Sequence, residues 1–449
     1  MDVQDKFRAL LTSFMQAASS NIELYASRKI KLDLPEMPKS LIIKLINAAK
    51  SYFQVEPTLL DIESPCTIIG DLHGHVLDLF RILKTEGLPN QNPKNRFVFL
   101  GDLVDRGEFS VHTIVIVYLL KVLWPDKVFI IRGNHEFDFM ASQGGFQTQV
   151  NDEFSDNNIY NLFLDSFSHL PLSIRIDNSM ICVHGGIGPS MFSVKQLFHI
   201  QKPFTEFGDE IIDALLWSDP SDSVEHFKPS SRGTGYFFSE SALCEFLDLS
   251  NLDILIRGHE CVMEGCEEKF GNRCITVFSA SNYCGTVNNQ SAVLRVTQPK
   301  TYEIVRFEPL DYLIRYIDFE MKFSARHGMC QSSASYGAAA FPQLKNINNN
   351  FAFNGNNLAC NNGSANQSNI YGGNNQTAMK RGMIRQVGTA RVDDSEKMVK
   401  QVPCASSFRY LPKLNPTAKK LPPIEPHFAS HAKPNAATSM PITRRHSMY

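Results

Sequence analysis

No stretch of this chain approaches the ~20 consecutive apolar residues that a membrane-crossing helix needs, which argues against a helical membrane span. The opening MDVQDKFRALL has acidic residues early and no long apolar core, so no secretory leader is expected there. Ten cysteines are scattered along the chain and none forms a CxxC pair. That spacing argues against a cysteine zinc cage, and in a cytosolic chain it reads as reduced core residues, several at strand ends (Cys66, Cys182, Cys274). Cytoplasm or nucleus is the expected location. Charge of one sign is also scarce: the formal net charge is −2, which gives nucleic acid no electrostatic case. The balance is uneven, however. Residues 380–449 hold 13 Lys and Arg against 4 Asp and Glu, so an acidic body carries a basic tail.

From residue 346 to 376 there are 13 Asn among 31 residues. Such a composition buries too little apolar surface to offset its ordering entropy. Residues 323–449 are therefore expected to form a disordered tail, Asn-rich and then basic. Residues 1–29 read as a helical lead-in and 30–322 as the catalytic domain. Within that domain Ile42, Leu45, Ile46, Ala49 and Phe53 recur at helical spacing, as do Val76, Leu79, Phe80 and Leu83 ahead of a capping Gly87. Ser110 is placed to cap a long apolar helix that ends near Trp124.

The chemistry gathers where short apolar runs stop. CTIIGDLHGH at 66–75 is an apolar strand that ends in Asp71 and His73. Phe97–Leu100 leads into GDLVDRG (101–107), Val128–Ile131 into RGNHE (132–136), and Met180–Val183 into HGG (184–186). Ile254–Ile256 leads into RGHE (257–260) and Ile275–Phe278 into SASNYCG (279–285). The first three strand–loop–helix units follow βαβ logic and predict an α/β core sheet with helices on its faces. Fewer helices separate the later strands, so a second, more antiparallel sheet is expected there. Open α/β sheets bind ligands beyond the carboxyl ends of their strands.

Asp71, His73, Asp102, Asn134, His184 and His259 all sit at such ends. Carboxylate, imidazole and amide oxygen suit Mn, Fe or Zn. Six groups on five strand ends point to two divalent ions with Asp102 between them, a pair able to polarise a phosphoryl oxygen and acidify a bridging water. Arg106 and Arg232 offer fork-shaped donors for phosphate oxygens. His135 is placed to protonate the leaving oxygen, with Asp105 orienting it.

GDLHG, GDLVDRG, GNHE, HGG, RGHE and NYCG, together with LLWSDP at 215–220, resemble the phosphoprotein phosphatase family of metal-dependent Ser/Thr phosphatases, nearest its type-1/2A/calcineurin group. The resemblance covers roughly residues 30–320, with the motifs in family order. It implies a calcineurin-like metallophosphoesterase fold, a β-sandwich of two mixed sheets flanked by helices. It implies one ion on Asp71, His73 and Asp102, and another on Asp102, Asn134, His184 and His259. Arg106, Arg232, Asn134 and Tyr283 would bind phosphate, His135 with Asp105 would be the general acid, and Asp219 would lie at the rim of the substrate cleft. The resemblance implies phosphoprotein substrates and regulatory subunits as partners.

Some positions depart from the family pattern. His75 replaces the usual Gln, SAS replaces SAP before NYCG, and TVNNQ follows it. Two other readings use the same residues. Dinucleotide polyphosphate hydrolases share GD-x-HG, GD-x-VDRG and GNHE but generally lack WSDP and NYCG, which are present here. A catalytically silent binding module would be expected to have lost a ligand, and none is lost. In the tail, Arg444-Arg445-His446-Ser447 resembles a basophilic kinase site, with Ser447 the candidate for phosphorylation.

Overall fold

A computed structural model describes residues 2–27, 29–92 and 96–311. The expected tail, with Ser447, lies outside the described residues. The strands are β1 (Leu59–Ile62), β2 (Cys66–Ile69), β3 (Arg96–Phe99), β4 (Val128–Ile130), β5 (Ser173–Ile176), β6 (Met180–Cys182) and β7 (Asp219–Pro220). Then follow β8 (Phe227–Pro229), β9 (Tyr236–Phe238), β10 (Ile254–Arg257), β11 (Cys266–Lys269), β12 (Cys274–Val277), β13 (Ser291–Gln298) and β14 (Thr301–Phe307). The helices are α1 (Val3–Ala18), α2 (Ile22–Ala26), α3 (Lys39–Val55), α4 (Val76–Glu86) and α5 (Ser110–Leu123). After them come α6 (Asp138–Ala141), α7 (Phe146–Phe154), α8 (Asn157–Ser168), α9 (Glu210–Trp217) and α10 (Glu240–Ser250).

Two main sheets form, in the orders β14-β13-β2-β3-β4 and β1-β5-β6-β10-β12-β11, beside a small β7-β9-β8 sheet. Their facing sides share one apolar layer that includes Ile68, Val98, Ile256 and Ile275. Because side chains alternate along a strand, the neighbours Ile69, Phe97 and Phe99 point the other way, into a helical layer with α1, α3, α4, α5, α7 and α8. On the far side of the second sheet, Ile181, Val183 and Leu255 pack with residues of α9 and α10. Strands covered on both faces read as unbroken apolar runs, which is how β2, β3 and β6 appear in the sequence. The implied mixed-sheet sandwich is the fold observed. Phe7, Leu10, Leu11 and Phe14 of α1 belong to the same core as α5, so residues 3–18 pack within the body.

Two local expectations need correction. The second sheet is not the more antiparallel one: β1–β5, β6–β10 and β10–β12 are parallel, and only β5–β6 and β11–β12 run antiparallel. The long connection through α9 and α10 carries the chain back to the starting end of β6, so β10 must run alongside it. Ser110 does not cap α5. It is the helix's first residue, Phe109 holds the cap position, and the Ser110 backbone N–H donates to Gln149 Oε1 at 2.8 Å. Gly87 does cap α4, at φ 74°. No helix among the described residues is long and apolar enough to cross a membrane.

Candidate active site

β2, β3 and β4 of one sheet and β6, β10 and β12 of the other end at a common place. Asp71, just past β2, forms a parallel bridge with Phe278, just past β12, and so links the two sheets there. Asp71 is fully buried, and both its oxygens accept from the His259 backbone N–H at 3.0 Å. Gly258 must be glycine, because a Cβ there would overlap Asp71 Oδ1. The same holds at Gly133, whose added Cβ would overlap Asp102 Oδ1.

His73, Asp102, Asp105, Arg106 and His259 all have positive φ, from 43° to 71°. Non-glycine residues hold that conformation only where their surroundings over-determine it, and such strain concentrates at functional sites. Here Glu136 does much of the holding. Its carboxylate is fully buried and accepts from the backbone N–H groups of Asp102 (2.8 Å), Leu103 (2.8 Å) and Gly133 (2.9 Å). It ties the loop after β3 to the loop after β4.

All six expected ligands converge. Two groupings among the described residues have ligand atoms within 4.8 Å of one another: His73, Asp102 and His135, and Asp102, His184 and His259. Asp102 is common to both, as a bridging role requires. His73 Nε2 lies 3.4 Å from Asp102 Oδ2 and 3.9 Å from Asp71 Oδ2. His184 Nε2 lies 3.4 Å from Asp102 Oδ2, 2.9 Å from Asn134 Oδ1 and 3.2 Å from His259 Nδ1.

The residues fit a metal pair by their tautomers. His73 Nδ1 lies 3.0 Å from the Val104 carbonyl and His184 Nδ1 2.8 Å from the Leu100 carbonyl. A carbonyl only accepts, so each Nδ1 carries the hydrogen and each Nε2 turns a lone pair inward, as metal-binding histidines do. The Asn134 oxygen then joins a ring of acceptors, an arrangement that a cation satisfies. Turned over, the same amide would instead direct its NH₂ toward Asp102, His184 and His259. The buried His259 Nε2 has no hydrogen-bond partner. The donor set is oxygen and nitrogen without sulfur, suited to Mn, Fe or Zn.

Electrostatics agree. Burial pushes Asp71 up to about 7, with Asp102 adding to the rise against the pull of His184. Burial opposes a charge on His184, but the Asp102 and Asp71 carboxylates outweigh it and raise the ring to about 9. The two carboxylates thus draw positive charge to this point. Burial, reinforced by Arg232, drives His259 well below its ordinary value and keeps it neutral, as a ligand must be.

The groups for the phosphoryl half surround this centre. His135 Nδ1 donates to Asp105 Oδ2 at 2.7 Å, which leaves Nε2 for the site. Asp105 is fully buried, and its other oxygen accepts from the Phe146 N–H at 3.0 Å. Arg106 is exposed, held through its backbone N–H to the Gly144 carbonyl at 3.0 Å. Tyr283 lays its ring against His73, with centroids 5.3 Å apart. Asp219, expected at the substrate rim, is buried. One oxygen accepts from Arg232 Nε at 2.6 Å and the other from Arg257 Nη2 at 2.8 Å. Asp219 thus orients Arg232, and both its oxygens are already taken. His75, expected not to be a ligand, is buried with Nδ1 donating to the His73 carbonyl at 3.0 Å.

Sequence reasoning missed Glu136, Arg257 and the Asp219 pairing. The signal for the first two was their place inside RGNHE and RGHE, where each stands two residues from a ligand.

A buried cluster of oxygen and nitrogen ligands where two mixed sheets meet, flanked by a His–Asp pair and arginines, defines a metal-dependent phosphoesterase type of site. The calcineurin-like phosphoesterase family profile matches residues 64–263. A solved protein serine/threonine phosphatase from Saccharomyces cerevisiae, described as similar to human phosphatase PP5, superposes with a TM-score of 0.57 at 30% identity. That similarity covers 62% of this chain and 92% of the yeast one. The chain belongs to the calcineurin-like phosphoesterase family. It is 40% identical over 263 residues to serine/threonine-protein phosphatase BSL2 of Arabidopsis thaliana, across 56% of this chain and 26% of the plant protein. It is 36% identical over 262 residues to serine/threonine-protein phosphatase PP2A-like PPG1 of Candida albicans, across 58% of this chain and 62% of the fungal protein. The matched region therefore spans about a quarter and about three fifths of these two relatives.

Proposed function

We propose that the chain is a serine/threonine protein phosphatase, a phosphoric monoester hydrolase acting on phosphoserine and phosphothreonine in proteins. The observation that carries this reading is the convergence of Asp71, His73, Asp102, Asn134, His184 and His259 beside the hydrogen-bonded His135–Asp105 pair. Asp71, His73 and Asp102 would hold one divalent ion, and Asp102, Asn134, His184 and His259 the other, with Mn²⁺ the preferred metal and Fe or Zn the alternatives. When bound, the ions supply Lewis acidity toward the phosphoryl oxygens and an activated water.

The remaining work falls to the chain's own residues. Arg106 and Arg232, joined by Asn134 and Tyr283, bind and orient the phosphoryl oxygens. Asp219 fixes the direction of Arg232. His135 carries at Nε2 the proton given to the departing seryl or threonyl oxygen, and Asp105 stabilises the ring while it is charged.

The test is hydrolysis by the full chain, in Mn²⁺, of a phosphoserine peptide and of diadenosine tetraphosphate. Turnover of the peptide with little of the dinucleotide supports the reading. The reverse preference assigns the site to nucleotides, and no turnover of either substrate contradicts phosphoesterase activity.

A further inference from the structure

We propose that Ser281, acting through the buried carboxylate of Asp78, is a positioning residue that sets Tyr283 in the site. The role assigned to Tyr283 rests on the function proposed above. The loop that carries Tyr283 is strained on both sides of it: Asn282 has φ 44° and Cys284 φ 55°. Side chains in that conformation persist only where contacts hold them, and the holding contacts are specific.

Upstream, the Ser281 backbone N–H and hydroxyl both donate to Asp78 Oδ2, at 2.9 and 3.0 Å, across a separation of 203 residues. Asp78 lies in the first turn of α4, directly after the segment that bears His73, and is 1% exposed. Its other oxygen accepts from Ser291 Oγ at 2.9 Å and pairs with Arg81. Ser281 Oγ also accepts from Arg81 Nη2 (3.0 Å) and from the Leu310 N–H (3.2 Å). Downstream, Asn289 Oδ1 accepts from the Tyr283 N–H at 2.9 Å, while its amide nitrogen donates to the Ala280 carbonyl at 2.8 Å. Asn282 Nδ2 donates to the Leu310 carbonyl at 2.7 Å.

The loop is therefore clamped on one side to the helix behind the His73 segment and on the other to Leu310, near the end of the described chain. Buried polar contacts of this kind hold a segment to one geometry. A backbone lacking the Ser281 hydroxyl loses three of these contacts while the metal ligands keep all of theirs.

The experiment compares wild type, Ser281→Ala, Ser281→Thr, Asp78→Asn and Tyr283→Phe in the full chain. Amide hydrogen exchange over residues 282–290 reads the clamp without requiring turnover. Faster exchange is expected there in Ser281→Ala and Asp78→Asn, with residues 134–136 and bound metal unchanged, and with protection restored in Ser281→Thr. On a phosphoserine peptide, kcat of Ser281→Ala is expected to fall about tenfold, short of the ~10²-fold that a 1 Å misplacement can cost. The same substitution should cost little more in a Tyr283→Phe background. Unchanged exchange over 282–290 in Ser281→Ala overturns the proposal. So do equal losses of kcat in both backgrounds, because Ser281 would then not be acting through Tyr283. If wild type turns over no phosphopeptide, the functional reading fails while the exchange result still decides the clamp.

Discussion

Replacing Asp219 with Asn separates two effects that the structure places in one carboxylate. Asp219 is 2% exposed. It pairs with Arg257, whose side chain is fully buried, and with Arg232, whose side chain is 18% exposed. Removing one partner of a fully buried charge pair costs ~3–5 kcal/mol. Here Arg257 keeps Glu260 at 2.7 Å and Arg232 can reach water, so about 2–3 kcal/mol of stability is expected to be lost. For catalysis, deleting an oriented donor to a developing oxyanion costs ~10²–10³-fold, and freeing Arg232 to wander should cost about 10–100-fold in kcat/KM. Urea unfolding and phosphopeptide kinetics of Asp219→Asn, Arg232→Ala and the double variant read the two terms apart. In the Arg232→Ala background Asp219→Asn should still lower stability, through Arg257, but should leave kcat/KM nearly unchanged. An equal drop of kcat/KM in both backgrounds, with bound metal constant, would refute the claim that Asp219 acts through Arg232.

Asp105→Asn should cut kcat on a phosphoserine peptide by about 10²–10⁴-fold, the range of a general acid. It should affect p-nitrophenyl phosphate much less, because that leaving group departs without a proton, and equal losses on both substrates would exclude His135 as the acid. Glu136→Gln turns one acceptor of the three-amide clamp into a donor and should cost ~1–3 kcal/mol for the stranded N–H and about 10–100-fold in metal affinity, read by urea unfolding and metal titration. Lys202 supplies a pH test. Burial pushes its ammonium from an ordinary 10.5 down to about 8, so between those values the unfolded chain binds more protons and stability rises with pH. The stability of wild type minus that of Lys202→Met should therefore grow from about pH 7.5 to about pH 9.5, and a constant difference would contradict the assignment.

How much of this was legible in the sequence follows from the range of each interaction. β2, β3 and β6 were readable because burial on both faces made them continuous apolar runs that each stop at a ligand. β1 and β5 were not picked out: LLDI and SIRI break the run with a charged residue on a half-exposed position. The mostly parallel second sheet was misread because β11 sits between β10 and β12 in sequence yet lies outside them in space. Six metal-type residues could be gathered from their spacing alone, since they follow five strands, Asp71 and His73 sharing one. The groups that hold them could not. Glu136 reads as one more acid, and only the fold turns its carboxylate onto three backbone amides. Asp219 was legible as part of a motif, but its burial between two arginines depends on Arg257, 38 residues further on. The Asp78–Ser281 contact spans 203 residues and leaves no local trace.

The most direct test of the central claim measures bound metal and phosphate release together, on a phosphoserine peptide, for the full chain and for Asp102→Asn. The account predicts two divalent ions per wild-type chain with Mn²⁺-dependent turnover. In Asp102→Asn it predicts fewer bound ions and turnover lower by at least about 10³-fold, because the one carboxylate common to both groupings is lost. A wild-type chain that turns over without metal, or an Asp102→Asn chain that binds and turns over as wild type does, would contradict it.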